Sequence, residues 1–214
     1  MIIGLVGFIS CGKDTVADYL VTNYSFKKDA YANSLKDVVA AIFNWDREML
    51  DGNTRESRIW RETVDEWWSA RLNKPFITPR RMLQQIGTEI FRDTWNQDIW
   101  VAGLENRLVK TQDNLVISDV RFQNEIAAIK KNNGIIVRIK RGIDPIWYDD
   151  AVILNTMKDS SEWLDASNRV SKYNVHISEM GWIGRNYDYE VENNGTIEEL
   201  YTKIDAIVSN ASST

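Results

Sequence analysis

The sequence predicts an α/β protein, a three-layer sandwich in which a mostly parallel, five-stranded sheet is covered by helices on both faces. Three observations carry this. Strands read at 2–6, about 26–30, 115–120, 135–140 and, more weakly, 187–192 alternate with segments of helical periodicity. Residues 115–140 read as a strand, a helix and a second strand, a crossover length that suits parallel pairing. The stretch 45–110 is helical and shows no obvious strand. It is expected to be an insertion at about 45–110 within a single domain spanning 1–214, folded over the C-terminal edge of the sheet, where ligands bind in such folds.

Taken in order, residues 2–6 (IIGLV) form a buried strand ending at a glycine. Residues 14–24 follow as a helix with Val16, Leu20 and Val21 on one face. A second helix at 34–43 carries Leu35, Val38, Val39 and Ile42. A single longer helix is expected over 54–72, with Ile59, Val64, Trp67, Trp68 and Leu72 as its buried stripe. Pro79 suits the first turn of the next, which carries Met82, Leu83, Ile86, Ile90 and Phe91. Residues 98–110 make another helix, and 115–120 a strand. The helix at 122–133 is expected to end on Gly134 as its C′ residue. After the strand at 135–140, Asp144 and Pro145 open a segment with one or two helices up to about Ala166. Strand 187–192 leads to an Asn194-Gly195 turn. Thr196 then caps a closing helix at 196–208, with Glu199 completing a capping box, before a frayed Ser/Thr tail at 209–214.

Composition narrows the function classes. Hydrophobic residues are 43% and charged residues 27% of 214, which suits a soluble globular chain with a real core. A net charge of −5 without a long basic run argues against binding duplex nucleic acid, although a local arginine cluster can still hold a small anion. One cysteine, Cys11, excludes an internal disulfide. No stretch approaches the ~20 apolar residues of a membrane span, and MIIGLVG lacks a charged lead and cleavage site. A cytosolic protein without a membrane partner is expected.

The chemistry starts at residues 7–14, GFISCGKD. Gly7 and Gly12 bracket four residues and Lys13 follows, the spacing of a phosphate-binding loop between strand and helix. Such a loop must curl so that successive backbone N–H groups, here through Ser10, Cys11 and Gly12, point at phosphate oxygens. The helix N-terminus adds its dipole, and Lys13 can reach the β- and γ-phosphates of a nucleoside triphosphate. The residue after the lysine is usually Ser or Thr, whose hydroxyl ligates Mg²⁺. Here it is Asp14, with Thr15 next. Either Asp14 or Thr15 is the candidate metal ligand. The plainer alternative is that Asp14 is a first-turn residue favoured by the helix dipole.

A second constellation lies in LVISDVRFQNE. Asp119 stands near the C-terminal end of its strand, where a carboxylate can face a metal or its water. Arg121 can grip a phosphate bidentately, and Glu125 can hold Arg121 in place. The alternative makes Asp119 a turn residue and Arg121 with Glu125 a surface pair of little energetic worth. Arg55, Arg58 and Arg61 lie on the helical insertion. They read more readily as a solvated face with Glu56 and Glu62 than as a catalytic lid.

The ordered set GKDT, SLKD at 34–37, RRMLQQIGTE at 80–89, Trp100, SDVRFQNE at 118–125, HISE at 176–179 and NNGTIEEL at 193–200 resembles the tailed-phage deoxynucleoside monophosphate kinases. GKD in place of GK[ST] is itself a feature of that family. The resemblance is weak in 45–75 and 143–172. It implies a P-loop kinase fold with a helical lid, and transfer of the γ-phosphoryl group of ATP, with Mg²⁺, to a deoxynucleoside 5′-monophosphate. It makes Lys13, Asp119 and Arg121 the expected catalytic residues. It makes Lys36, Arg81, Gln84, Trp100, Asp119, Arg121, Glu125 and His176 acceptor-site candidates, with Glu179 beside them. Trp100 can stack on a base. A homodimer is allowed, and a phage-encoded enzyme of this kind would work in the host cytoplasm. The competing readings are another P-loop small-molecule kinase, such as one acting on dephospho-coenzyme A, and a non-catalytic nucleotide switch. GKDT counts against the first; the lack of a guanine-reading NKxD counts against the second.

Overall fold

Five strands form one all-parallel sheet, lying side by side in the order Lys27–Asp29, Leu115–Ile117, Ile2–Val6, Ile135–Lys140 and Tyr189–Glu192. In chain order the elements are β1 (Ile2–Val6), α1 (Lys13–Tyr24), β2 (Lys27–Asp29), α2 (Asn33–Phe43), α3 (Arg55–Glu62), α4 (Glu66–Leu72), α5 (Pro79–Gln84), a π-helix (Gln85–Trp95), α6 (Ile99–Leu108), β3 (Leu115–Ile117), α7 (Gln123–Lys131), β4 (Ile135–Lys140), α8 (Tyr148–Thr156), α9 (Ser161–Val170), α10 (Ile177–Met180), β5 (Tyr189–Glu192) and α11 (Ile197–Ser212). Short 3-10 turns add Met49–Asp51 and Ser171–Tyr173. The structure, a computed structural model, describes residues 1–212. The chain forms two compact units, Met1–Ala30 together with the chain from Val109 onward, and Tyr31–Leu108. The second unit therefore takes in α2 as well as the stretch from 45 that the sequence read as inserted.

In the sheet unit β1 and β3 are apolar along their length and β4 is apolar but for Arg138 and Lys140, as suits strands covered on both faces, while the edge strands KKD and YEVE are mostly polar. Alternation assigns the faces. Ile3, Leu5, Val116, Val137, Ile139 and Val191 pack with Val16, Ala17 and Leu20 of α1 and with Leu200, Ile204 and Ile207 of α11. Gly4 and Ile136 face the other way, toward Ile129 of α7. The register Ile3↔Val116 and Ile3↔Ile135 keeps the carboxyl ends of β1, β3 and β4 together.

Several boundaries differ from expectation for local reasons. The 54–72 helix is two helices. Thr63 takes an extended ψ of 139°, and the Asp65 carboxylate accepts from Trp68 N–H at 3.0 Å, capping α4. Asp65 also accepts from Trp45 Nε1 at 2.8 Å, so the break is fixed twice. The expected stripe is not buried as drawn, since Trp67 is 63% exposed and Ile59 and Leu72 are exposed too. The helix begun by Pro79 continues as a π-helix. Asn96 N–H bonds to Phe91 O, five residues back, and Trp100 Nε1 takes Gly87 O at 2.9 Å. Strand β3 stops at Ile117. Helix α7 ends not on Gly134 but through Asn133, which holds the left-handed φ of 56°. Gly134 is needed for space, because a Cβ there would lie 2.6 Å from Ile129 Cγ2 and 3.0 Å from Ile2 O. The Thr196–Glu199 capping box is present, with bonds of 3.1 and 3.3 Å. Helix α11 runs on to Ser212, through most of the stretch expected to fray; residues 213–214 of that tail lie outside the described residues.

Candidate active site

The loop after β1 curls through three left-handed residues, Gly7 (φ 143°), Ser10 (φ 62°) and Gly12 (φ 108°). The glycines are required at both ends. A Cβ on Gly7 would sit 2.3 Å from Ile139 O, and one on Gly12 would sit 2.5 Å from Asn193 Nδ2. Gly12 stands at the cap position of α1 and brings no side chain to the first-turn N–H groups, the arrangement that suits an anion. Lys13 folds back, and its Nζ donates to the carbonyls of Gly7 and Phe8 at 2.8 Å each, with Cys11 Sγ 3.8 Å away. Burial pushes the Lys13 ammonium below its ordinary value. Arg121 pushes the same way, against Cys11, Asp14 and Glu179. Cys11 itself is buried in the loop at 3% exposure.

Asp14 is 67% exposed and pairs with Lys28 of β2 at 3.1 Å; Lys28 also holds Asp18 at 3.0 Å. Thr15 is half-buried. Asp119 is half-buried, two residues past the end of β3. These three side chains are hard oxygen donors. Mg²⁺ needs only one or two such protein ligands beside phosphate and water, so the donor chemistry fits, although no group of three or more potential metal ligands occurs among the described residues.

Arg121 is fixed from two sides. Glu125, 2% exposed, accepts from the backbone N–H of Arg121 at 2.7 Å and of Phe122 at 3.1 Å. It thus caps α7 and holds the Arg121 main chain, and at 2% exposure it does not form the surface pair that was the alternative reading. The guanidinium goes elsewhere: Nη1 donates to Ser178 O at 3.1 Å and to Glu179 Oε1 at 3.2 Å. His176 supports that contact by capping α10, with Nδ1 accepting from Ser178 N–H at 3.2 Å and 2.8 Å from Ser178 Oγ. Lys13, Arg121 and Glu179 therefore share one electrostatic neighbourhood in the sheet unit.

The loop is also braced by aromatics. Phe8 meets Trp182, Trp147 and Tyr148 edge-on, with centroids at 5.1, 5.6 and 6.2 Å. Behind them the buried Arg138 guanidinium lies 4.8 Å from the Tyr148 ring and pairs with Asp144 at 2.6 Å and Glu190 at 2.7 Å. Nothing in the motif pattern announces this brace, because its members come from five separate segments.

In the helical unit, Lys36 pairs with Asp51 at 2.8 Å, and Arg47 reaches the same carboxylate at 2.8 Å. Burial pushes Asp51 up, but Lys36 and Arg47 outweigh it and hold its carboxyl below the ordinary range. Arg81 is exposed, with Nη1 at 3.4 Å from Pro75 O and 3.5 Å from Phe76 O. Gln84 is half-buried. Trp100 is 7% exposed, bonded to Gly87 O and tilted against Phe91 at 5.3 Å. It is an interior residue of its unit. Arg58 and Arg61 bond to Gly52 O at 2.9 Å and Asp51 O at 3.4 Å, tying α3 to the preceding turn.

Comparison with known proteins adds four findings. A family model described as deoxynucleotide monophosphate kinase matches residues 68–153. A protein of Acanthamoeba polyphaga mimivirus, assigned by name to the deoxynucleotide monophosphate kinases, is 31% identical over 227 aligned residues, covering 99% of this chain and 98% of the relative. The deoxynucleoside-5′-monophosphate kinase of Escherichia phage T5 is 26% identical over 182 aligned residues, covering 62% and 73%. Among solved structures, dephospho-CoA kinase from Campylobacter jejuni aligns over 99% of this chain and 97% of its own with a TM-score of 0.44 and 14% identity, a likeness that carries no information about the acceptor.

Proposed function

We infer the reaction from one premise: the chain belongs to the deoxynucleotide monophosphate kinase family. It is a phosphotransferase that moves the γ-phosphoryl group of ATP to a deoxynucleoside 5′-monophosphate, giving a deoxynucleoside diphosphate and ADP. The observation that carries this reading is the shared neighbourhood of Lys13 in the phosphate loop and Arg121 on its Glu179 tether.

The roles follow from charge. An acceptor phosphate is already an anion near neutral pH, so one of its oxygens attacks the γ-phosphorus without a general base. The bond from phosphorus to the β,γ-bridging oxygen breaks, and ADP leaves with that electron pair. The protein's task is to hold two polyanions in line and to neutralise charge. In this reading the backbone N–H groups of the 7–14 loop cradle the β-phosphate, and Lys13 exchanges its carbonyl partners for the β- and γ-phosphate oxygens. Arg121, held at both backbone and guanidinium, holds the acceptor phosphate. Asp14, Thr15 and Asp119 are the residues that would hold Mg²⁺, which when bound screens the charge between the β- and γ-phosphates. Lys36, Arg81 and Gln84 are acceptor-side residues by the family resemblance, with Lys36 already tied to Asp51. We place the reaction in the cytoplasm, of the host if the chain is phage-encoded; no helix among the described residues is long and apolar enough to cross a membrane.

The test is ADP release measured over a panel of nucleoside and deoxynucleoside monophosphates, with dephospho-coenzyme A included. Turnover dependent on a deoxynucleoside monophosphate supports the reading. Dependence on dephospho-coenzyme A, or slow hydrolysis indifferent to any acceptor, rejects it.

A further inference from the structure

Asn193, the residue after β5, reaches into the phosphate loop. Its Nδ2 donates to Cys11 O at 2.9 Å, while its own backbone N–H is held by Lys140 O at 2.7 Å at the end of β4. The next residue adds a second anchor, since Asn194 Oδ1 accepts from Gly142 N–H at 2.7 Å. The contact is tight. The missing Cβ of Gly12 is what admits the amide, because one built there would lie 2.5 Å from Asn193 Nδ2. Asn193 is thus a bracket between the rigid end of the sheet and one particular peptide unit of the loop.

That peptide unit matters for a geometric reason. The peptide group is planar and trans, so the carbonyl of Cys11 and the N–H of Gly12 point in opposite directions. Fixing Cys11 O on Asn193 therefore turns Gly12 N–H away from Asn193. The same bond limits rotation of a glycine that already has a left-handed φ and no side chain to hold it. We propose that Asn193 is a positioning residue for nucleotide binding: by holding the Cys11 carbonyl it presets the Gly12 N–H as a donor to the triphosphate and keeps the loop closed over Cys11. This rests on the loop being the nucleotide site, as proposed above.

The chemistry also defines the test. Asn193→Asp keeps the size but replaces the amide donor by a carboxylate oxygen facing a carbonyl oxygen, so the bond becomes a repulsion. Asn193→Ser removes the amide and leaves a gap. Cys11 is the chain's one cysteine, so its reaction with a chromogenic aromatic disulfide reports on this loop alone, without reference to activity. The experiment compares wild-type protein with both variants, measuring the rate of that reaction with and without ATP, and the separate KM values for ATP and for the acceptor.

In both variants Cys11 is expected to react at least about tenfold faster without ATP, and KM for ATP to rise about tenfold, the effect of losing roughly 1.4 kcal/mol, with acceptor KM changing less than about twofold. Unchanged thiol reactivity overturns the proposal, as does faster thiol reaction with an unchanged KM for ATP, or an equal rise in both KM values. Loss of folding in both variants overturns it too, because Asn193 would then be part of the scaffold. If wild-type protein turns over no acceptor, the kinase reading fails separately; ATP protection of Cys11 and its loss in the variants then still decide the role of Asn193.

Discussion

Arg121 donates through Nη1 to Glu179 Oε1 at 3.2 Å across 58 residues of sequence. This bond joins the loop after β3 to the short helix α10, and both of its charges act on the Lys13 ammonium. An arginine on a flexible stem has about 2 kcal/mol of rotamer entropy to lose when it grips a phosphate. One already held by a carboxylate has lost part of it. Glu179→Ala should therefore raise KM for the acceptor by about tenfold and leave KM for ATP within about twofold. Steady-state kinetics with each substrate varied in turn checks this; a change confined to ATP would place Arg121 on the donor side instead.

His176 acts on the same bond at one remove. Its Nδ1 accepts from Ser178 N–H, which fixes the turn that presents Ser178 O and Glu179 to Arg121. His176→Ala should reproduce a weaker form of the Glu179→Ala defect. His176→Asn should recover most of it, since asparagine is among the best helix-capping residues, with caps worth about 1 kcal/mol. Equal defects in both variants would mean that the imidazole touches substrate directly.

Lys13→Ala should cut turnover by about two to three orders of magnitude while the circular dichroism spectrum stays that of the folded protein. The pH dependence carries a separate signature. Burial, with Arg121 beside it, puts the folded pKa of Lys13 below its unfolded value of 10.5. Between the two values the unfolded chain holds more protons, so Lys13 makes stability rise with pH through that window, and the penalty for burying the charge is present in full below it. Lys13→Met should remove this dependence. In wild-type protein, kcat/KM for ATP should fall on the alkaline side with a pKa below 10.5, because the free enzyme loses the charge there.

Arg138 is buried between two carboxylates and a set of rings that extends to Phe8. Arg138→Met takes the guanidinium from Asp144 and Glu190 and leaves Asp144 only Lys140, at 3.4 Å. Both retain some solvent contact, so the loss of stability should be about 2 kcal/mol, below the range for a fully buried pair. Urea denaturation measures it. KM for ATP should rise as well, since Tyr148 contacts both Arg138 and Phe8.

What the sequence made legible was whatever depends on short-range pattern. The central strands, the strand–loop–helix around Lys13 and the capping box at Thr196 follow from apolar runs, glycine spacing and a Thr-x-x-Glu signature, the edge strands from their alternation with helical segments, and each is present. Features set by distant partners were not legible. Asp65 splits a helix because its carboxylate serves both Trp68 N–H and Trp45 Nε1, and helical periodicity does not register that competition. Glu125 looked like a guanidinium partner because of its spacing from Arg121, yet burial turned it to the backbone instead. The π-helix offers Trp100 Gly87 O and buries it there, a placement that spacing alone does not register. Asn193 lies 182 residues from Cys11, and only the parallel order of β1, β4 and β5 brings the two together.

The central claim is that the terminal phosphoryl group of ATP moves to a deoxynucleoside monophosphate at the loop containing Lys13. The most direct test is to incubate the protein with Mg²⁺, ATP labelled in its γ-phosphate and each deoxynucleoside monophosphate in turn, and to separate the products. Label appearing in a deoxynucleoside diphosphate, in step with ADP and abolished by Lys13→Ala, is the result expected. Label released only as inorganic phosphate, or diphosphate formed undiminished by Lys13→Ala, would contradict the account.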